Sequence, residues 1–261
     1  MTTMQITRRT MLAGMAGAFM PPLMAASAAK PAARVRHSYG CCLINNEIDM
    51  YLEANEPLIT YFSGNEPIIK RSGDPHLDFA IAQSLFRIGK VFGVVPGFGY
   101  FDDYDGRNAY ATEVVRLNSA DGTVVFGLRL LQELIGRTDI DSPEVGIAAV
   151  CAHEFGHIYQ YRTRLFQALN EGQDTIKLVE LHADFLAGYF AGIRKSERSD
   201  FPAALFAITQ RRYGDYNVGS RNHHGTPEER GNAVVAGFDA ARRGLDMRTA
   251  AQAGVRYVRS V

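Results

Sequence analysis

The stretch from residue 147 to residue 157 reads IAAVCAHEFGH, and it places His153 and His157 four positions apart. Side chains four apart on an α-helix lie on one face, with Cβ atoms about 5–6 Å from each other. Two imidazoles in that position can bind a single metal ion, and Glu154, one step round the helix, can face a water molecule on that ion. The stretch therefore predicts a metal-binding helix.

The residues before this stretch predict where the helix begins. Ser142 is a favourable N-cap residue, and Pro143 suits the first helical position because the N–H that it lacks would have no partner there. Residues 145–152 are almost all apolar or small, so we expect the helix to be buried on most sides. A buried histidine is costly unless its lone pair is satisfied, as a metal ion satisfies it. The His-Glu-x-x-His spacing on such a helix is also a signature of zinc proteases.

A catalytic zinc site needs a third protein ligand and leaves its remaining position to water. The extended motif that supplies a third histidine is excluded, because Gln160 and Thr163 stand where its glycine and histidine would be. Residues 178–190 have a helical spacing of apolar side chains, and Glu180 and Asp184 share one face of that helix. Two carboxylates on the inward side of an apolar helix need a compensating charge, which a divalent cation provides.

We therefore expect Glu180 to be the third ligand. Asp184 is expected to accept the ring N–H of a metal-bound histidine. His182 lies two residues from both carboxylates, so it is expected to point elsewhere, as a surface or core histidine.

Composition limits the class of protein. The chain has 261 residues, of which 46% are hydrophobic, enough for one well-buried domain with a small appendage. It carries 28 basic and 28 acidic side chains, and this balance argues against nucleic acid as a partner. Its three cysteines, Cys41, Cys42 and Cys151, allow at most one intramolecular disulfide.

The first 28 residues are typical of a targeting signal. Arg8 and Arg9 precede an uncharged run over residues 13–24, and an A-x-A-like cleavage site follows at residues 26–28. The run is shorter than the about 20 residues that span a membrane. The paired arginines before it are typical of a twin-arginine signal peptide, with an ordinary secretory signal as the alternative, so we expect a periplasmic or secreted protein without a spanning segment. The predicted division is a signal peptide over 1–28, an N-terminal tether and helical extension over 29–73, and a catalytic domain over 74–261.

The region before the metal-binding helix mixes helix and strand patterns. Residues 45–55, 75–90 and 127–135 have helical spacing, whereas residues 108–115 and 123–126 are rich in β-forming side chains. Asp121 and Gly122 between the two strand patterns predict an antiparallel hairpin. We expect an α+β fold that is mostly helical with a small antiparallel sheet, in which an edge strand can hold an extended peptide across the metal.

An acidic loop at residues 102–106 is expected to be a solvated turn. A calcium loop would need a glutamate at its twelfth position, where the chain has Val114. Further along the chain, helices are expected over residues 201–212 and 247–258, the second capped by Asp246.

Five segments occur in the order seen in one group of zinc metallopeptidases. These segments are NAYA at 108–111, GLRLL at 127–131, AHEFGH at 152–157, ELHADFLAG at 180–188 and HGTPEER at 224–230. The chain thus resembles, over roughly residues 75–240, the HtpX and prenyl-protease type of zinc metallopeptidase and its soluble relatives, above all the bacterial neutral zinc metallopeptidases.

This resemblance implies a zincin-like domain of the gluzincin kind with Zn²⁺ as cofactor, in which the glutamate of Glu-x-x-Ala-Asp, here Glu180, is the third ligand. The chain departs from these metallopeptidases in two features, which limit what the resemblance implies. Gly225 stands where the membrane members carry proline, and no membrane helices flank the core, so their transmembrane substrates are not implied.

The segment at 224–230 contains a capping box, Thr-x-x-Glu, that begins at Thr226 and opens a helix through about residue 243. The box does not explain His224 or Arg230. We expect His224 to donate to the oxyanion that forms when water attacks a carbonyl, with His223 as the rival for this role. Arg230 is expected to pair with an active-site carboxylate such as Asp184.

The predicted function is that of an exported zinc endopeptidase, a metalloprotease hydrolysing peptide bonds of a peptide or protein substrate. Zinc on His153, His157 and Glu180 would lower the pKa of a bound water toward about 7 and polarise the carbonyl. Glu154 would act as general base. Two alternatives stay open: a non-hydrolytic zinc-fold binding or assembly protein, and an amidase acting on cell-wall peptides.

Overall fold

The structure is a computed structural model that describes residues 67–104, 106–117, 119–137 and 142–261. The predicted signal peptide, the helix predicted over residues 45–55 and most of the N-terminal extension lie outside the described residues.

Eight helices and three strands make up the described part of the chain, and their order confirms an α+β fold that is mostly helical. The helices are α1 (Pro75–Phe92), α2 (Leu128–Ile135), α3 (Pro143–Thr163), α4 (Leu165–Asn170), α5 (Lys177–Glu197), α6 (Ala204–Arg211), α7 (Pro227–Arg242) and α8 (Met247–Val258). The strands are β1 (Gly97–Phe101), β2 (Ala109–Thr112) and β3 (Thr123–Gly127).

The three strands form one sheet in the order β1-β3-β2. Strands β2 and β3 pair antiparallel, with Ala109 opposite Phe126, which confirms the predicted hairpin. The prediction of a purely antiparallel sheet is wrong, because β1 pairs with β3 in parallel and makes the sheet mixed. Strand β1 reads GFGYF, and its two glycines are typical of turns, so the sequence pattern did not indicate a third strand.

The prediction of a solvated acidic turn is wrong at Asp103. This carboxylate is buried and accepts the backbone N–H groups of Arg129, at 2.7 Å, and Leu130, at 3.0 Å. These N–H groups belong to the first turn of α2, where no intrahelical partner exists. Asp103 therefore caps α2 from a distant loop, since the residue before the helix is Gly127, which has no side chain to do so.

Helix α3 is the central element of the core. Every residue from Val145 to Gln160 is buried, as the apolar run predicted. The helix begins with Pro143 in its first turn, although the Ser142 side chain makes no capping hydrogen bond. None of the described helices is long and apolar enough to cross a membrane.

Helices α5 and α7 cross unusually closely, which brings the second half of the site together. A Cβ atom on Gly188 would overlap the carbonyl group of Val234, and one on Gly237 would overlap that of Phe185. Both glycines are therefore required by the close approach of the two backbones. Helix α7 opens with the predicted capping box, in which Thr226 accepts the N–H of Glu229 and the Glu229 carboxylate accepts the N–H of Thr226.

Candidate metal centre

Helices α3 and α5 bring the three predicted ligands together. The Nε2 atoms of His153 and His157 are 3.0 Å apart, and the Glu180 carboxylate lies 3.4 Å from the first and 3.6 Å from the second. Ligands of a tetrahedral zinc ion, bonded at about 2.0–2.1 Å, stand about 3.3 Å from one another. The three side chains are fully or almost fully buried, and their spacing fits a single metal ion.

Hydrogen bonds at the far side of each imidazole set the direction of its lone pair. His153 Nδ1 lies 2.8 Å from Asp184 Oδ1, and His157 Nδ1 lies 2.9 Å from Gln160 Oε1. Both partners are oxygen acceptors, so each Nδ1 carries a hydrogen, and each ring in its neutral form has its lone pair on Nε2. Two lone pairs at 3.0 Å repel each other unless a cation lies between them. The donor set therefore fits a metal cation.

The charges of the buried groups also suit a divalent cation. Glu154, Glu180 and Asp184 are no more than 2% exposed, and Arg230 is the guanidinium that contacts this group. With all three carboxylates ionised and both imidazoles neutral, as metal binding requires, one guanidinium leaves two negative charges, which a divalent ion would neutralise.

The pKa shifts follow from this imbalance. Burial lowers the pKa of His153, but the Asp184 and Glu180 carboxylates together outweigh it and raise the pKa to about 9. Burial raises the pKa of Glu180, but His157 and His153 together hold it well below its ordinary value. Both directions show that a positive charge is favoured at the point where the two imidazoles and the carboxylate meet, whether a proton or a metal ion supplies it.

Arg230 holds Asp184 in place. Its Nε and Nη2 atoms donate to the two carboxylate oxygens of Asp184 at 2.7 and 3.0 Å, a bidentate arrangement. The same guanidinium donates to the backbone carbonyl of Tyr213 at 3.2 Å and to the side chain of Gln210 at 3.3 Å. The structure thus places Arg230 against Asp184, the partner expected from the sequence, and behind His153.

A cavity of about 400 Å³ opens beside His153 and Glu154. Strand β2 contributes Ala109 to its wall, and the loop between α6 and α7 contributes polar side chains such as Asn217 and Asn222. The ligand group therefore has access to a space large enough for part of a peptide.

Glu154 is one of the residues that line this cavity. Its Oε2 atom is buried and has no hydrogen-bond partner within the described part of the chain. Burial raises the pKa of Glu154 to about 8, so an adjacent cation is needed to keep this carboxylate ionised at neutral pH.

His224, and not His223, lines the cavity. Asp215 holds both rings: its Oδ1 accepts from His223 Nδ1 at 2.7 Å, and its Oδ2 accepts the backbone N–H of His224 at 3.0 Å and lies 3.4 Å from His224 Nδ1. The Nε2 atom of His224 is buried and, in the part of the chain that the structure describes, without a hydrogen-bond partner. Burial lowers the pKa of this imidazole.

The sequence did not indicate three supporting residues. Asp215 lies in a loop with no motif, and Gln210 lies in α6, far from the ligands along the chain. Gln160 could have been found, because it is three residues after His157 on the same helix and so shares its face. His182, expected to be a surface or core histidine, is a core residue, and burial lowers its pKa to about 4.

Comparison of the chain with protein-family models, with curated proteins and with solved structures finds no match.

Proposed function

We propose that this protein is an exported zinc-dependent endopeptidase in which Glu154 is the general base. One observation carries the proposal: Glu154 Oε2 and His224 Nε2 are buried, lack hydrogen-bond partners among the described residues, and belong to side chains that line the same cavity as His153. Buried polar atoms without partners are costly, and they are found where a substrate or solvent group completes the site.

The ligand types favour zinc. Two imidazoles and one carboxylate match a catalytic zinc site, whereas calcium and magnesium prefer oxygen ligands throughout. When bound to His153, His157 and Glu180, zinc would lower the pKa of a coordinated water and polarise the substrate carbonyl.

Glu154 serves as the proton carrier. It follows His153 directly on α3, so its carboxylate reaches the cavity without joining the ligand group. It accepts the proton of the attacking water and passes it to the nitrogen of the leaving amine. Oε2 has no hydrogen-bond partner among the described residues, which leaves it able to accept and release a proton.

His224 provides a hydrogen-bond donor for the developing oxyanion. The Asp215 carboxylate accepts from Nδ1, so Nε2 carries a hydrogen only when the ring is protonated. Burial lowers the pKa of His224, which means that the donor form is present at low pH and is lost as the pH rises through that pKa. The contribution of His224 to catalysis is therefore expected to decline toward alkaline pH.

The substrate is an extended peptide. Strand β2 lies at an edge of the described sheet, and its residue Ala109 lines the cavity together with His153. A peptide bound in this cavity would pass beside Ala109 and in front of His153. Export is proposed from the twin-arginine pattern in residues 1–28.

Metal analysis of the exported protein, paired with cleavage of a peptide library, tests the proposal. Glu154→Gln is expected to retain zinc and lose hydrolysis, because the amide cannot accept the proton. Glu144→Gln is the matched control, since Glu144 is an exposed glutamate in the first turn of the same helix, and it should cleave like the wild type. A wild type that binds zinc without cleaving any peptide, or a fully active Glu154→Gln variant, would contradict the proposal.

A further inference from the structure

A continuous series of buried hydrogen bonds runs from the ligand His157 to the C-terminal helix α8. We infer that Gln160 and His182 are positioning residues, which orient the imidazole of His157 for metal binding and take their own orientation from the backbone of α8. The inference rests on the proposed metal site and adds to it two residues and a helix that do not touch the ion.

The backbone carbonyl of Ala251 on α8 determines which atom donates in each hydrogen bond of the series. His182 Nε2 lies 3.0 Å from the backbone carbonyl of Ala251, which can only accept, so Nε2 carries the hydrogen. The other ring nitrogen of neutral His182, Nδ1, must then be an acceptor. It lies 3.0 Å from Gln160 Nε2, which donates to it.

The amide of Gln160 has only one orientation that satisfies its neighbours. Its Nε2 group donates to His182 Nδ1 and also to the backbone carbonyl of Val179 at 2.8 Å. If the amide were flipped, its oxygen would face both of these acceptors. Gln160 Oε1 therefore points to His157 Nδ1, 2.9 Å away, and accepts its hydrogen.

His157 is consequently held as the tautomer with hydrogen on Nδ1 and a lone pair on Nε2. That lone pair is the one directed at the ligand group, 3.0 Å from His153 Nε2. His157 Nδ1 is bonded to the neutral amide of Gln160, whereas His153 Nδ1 is bonded to Asp184, which pairs with Arg230. The two ligands are thus supported in different ways, one by charge and one by a neutral series that ends on α8.

The close approach of α8 depends on Gly254. A Cβ atom at this position would lie 3.0 Å from His182 Cδ2 and 2.8 Å from a ring carbon of Phe185. The missing side chain lets the backbone of α8 come within hydrogen-bond reach of His182. Glycine at residue 254 is therefore needed for the last hydrogen bond of the series, from His182 to the carbonyl of Ala251.

The wild-type protein alone can test the hydrogen-bond directions. In the full chain labelled with ¹⁵N-histidine, the ring nitrogens of His157 and His182 report their tautomers by NMR. We expect hydrogen on Nδ1 of His157 and on Nε2 of His182. The opposite tautomer at either ring would overturn the inference without the need for any variant.

Two variants of His182 test the consequence for the metal. His182→Asn puts an amide oxygen where Nδ1 stands and keeps an acceptor for Gln160, whereas His182→Gln extends its amide toward the Nε2 position and offers none at Nδ1. Loss of a residue that orients a ligand commonly weakens metal binding about 10–100-fold. We expect that loss for His182→Gln and zinc affinity within a few-fold of the wild type for His182→Asn, both measured by chelator competition.

Tyr189→Phe is the matched control. Tyr189 lies on α5, like His182, and its hydroxyl donates to the carbonyl of Leu245 at 2.7 Å, just before α8. Removal of this bond loosens the same region but leaves the series intact, so zinc affinity should not change. Unchanged affinity in both His182 variants, or an equal loss in both, would overturn the inference; a wild type that binds no zinc would instead contradict the proposed function.

Discussion

Removal of the Arg230 guanidinium is the perturbation whose effect can be worked out best from the structure. Arg230→Met keeps most of the side-chain volume but takes away both hydrogen bonds to Asp184, at 2.7 and 3.0 Å. Asp184 has no exposed surface and Arg230 is 3% exposed, so water cannot solvate the carboxylate that remains. The variant therefore leaves a buried carboxylate without its main counter-charge.

The expected cost is that of a broken buried ion pair. Such a change destabilises a protein by about 3–5 kcal/mol, whereas exposed pairs contribute about 0–1 kcal/mol. At this chain length, a loss of that size lowers the melting temperature by roughly 10 °C. Replacement of both partners, Arg230→Met with Asp184→Leu, removes both charges and should restore much of the stability.

The assay is urea unfolding of the single and double variants in the presence of a chelator, which separates the ion pair from metal binding. Arg211→Met is the control, because Arg211 pairs with Glu228 on the protein surface, with about half of each side chain exposed, and its loss should change stability far less. A destabilisation by Arg230→Met no larger than that of the control would refute the reasoning. So would a double variant that is less stable than the single one.

Two further predictions concern other parts of the site. Glu180→Ala should lose most of the bound metal, as measured by metal analysis of the purified protein, and unchanged stoichiometry would exclude Glu180 as the third ligand. Burial raises the pKa of Asp215, but the hydrogen bonds from His223 and from the backbone outweigh it and lower the pKa to about 2, from an ordinary value of 3.8. Because the folded-state pKa is the lower one, these bonds stabilise the fold above about pH 4, and the stabilisation is lost as the pH falls through about 2. Urea unfolding should therefore show a stability difference between the wild type and Asp215→Asn that is largest above pH 4 and narrows in acid.

The ligand group was predictable because its members are set by spacing within single helices. His153 and His157 share a face of α3 by their four-residue separation, and Glu180 and Asp184 share a face of α5 in the same way. The start of α7 was predictable for a similar reason, since the capping box is a pattern of neighbouring residues. Local patterns of this kind do not require knowledge of the tertiary structure.

The parts that could not be predicted depend on contacts between distant segments. Asp103 caps a helix that begins 25 residues later, and Asp215 supports His224 from a loop without any motif. Strand β1 is formed by a glycine-containing segment that becomes a strand only because β3 lies beside it. In each case the side chain or backbone group is satisfied by a partner that the local sequence does not reveal.

A contribution to the stability of the fold does not explain why Glu154 is among the buried polar side chains around the metal ligands. A network kept for the stability or specificity of a fold has its members satisfied, because a half-satisfied network is worse than an apolar core. Asp184, Arg230 and Gln160 meet that condition through the bonds described above, but Glu154 Oε2 does not, within the residues that the structure describes. Replacement of Glu154 by an apolar residue would remove this buried oxygen. The replacement would break no hydrogen bond at Oε2 to any described residue. The position of this carboxylate beside the ligands and at the wall of the cavity therefore supports the proposed role of Glu154 as the general base.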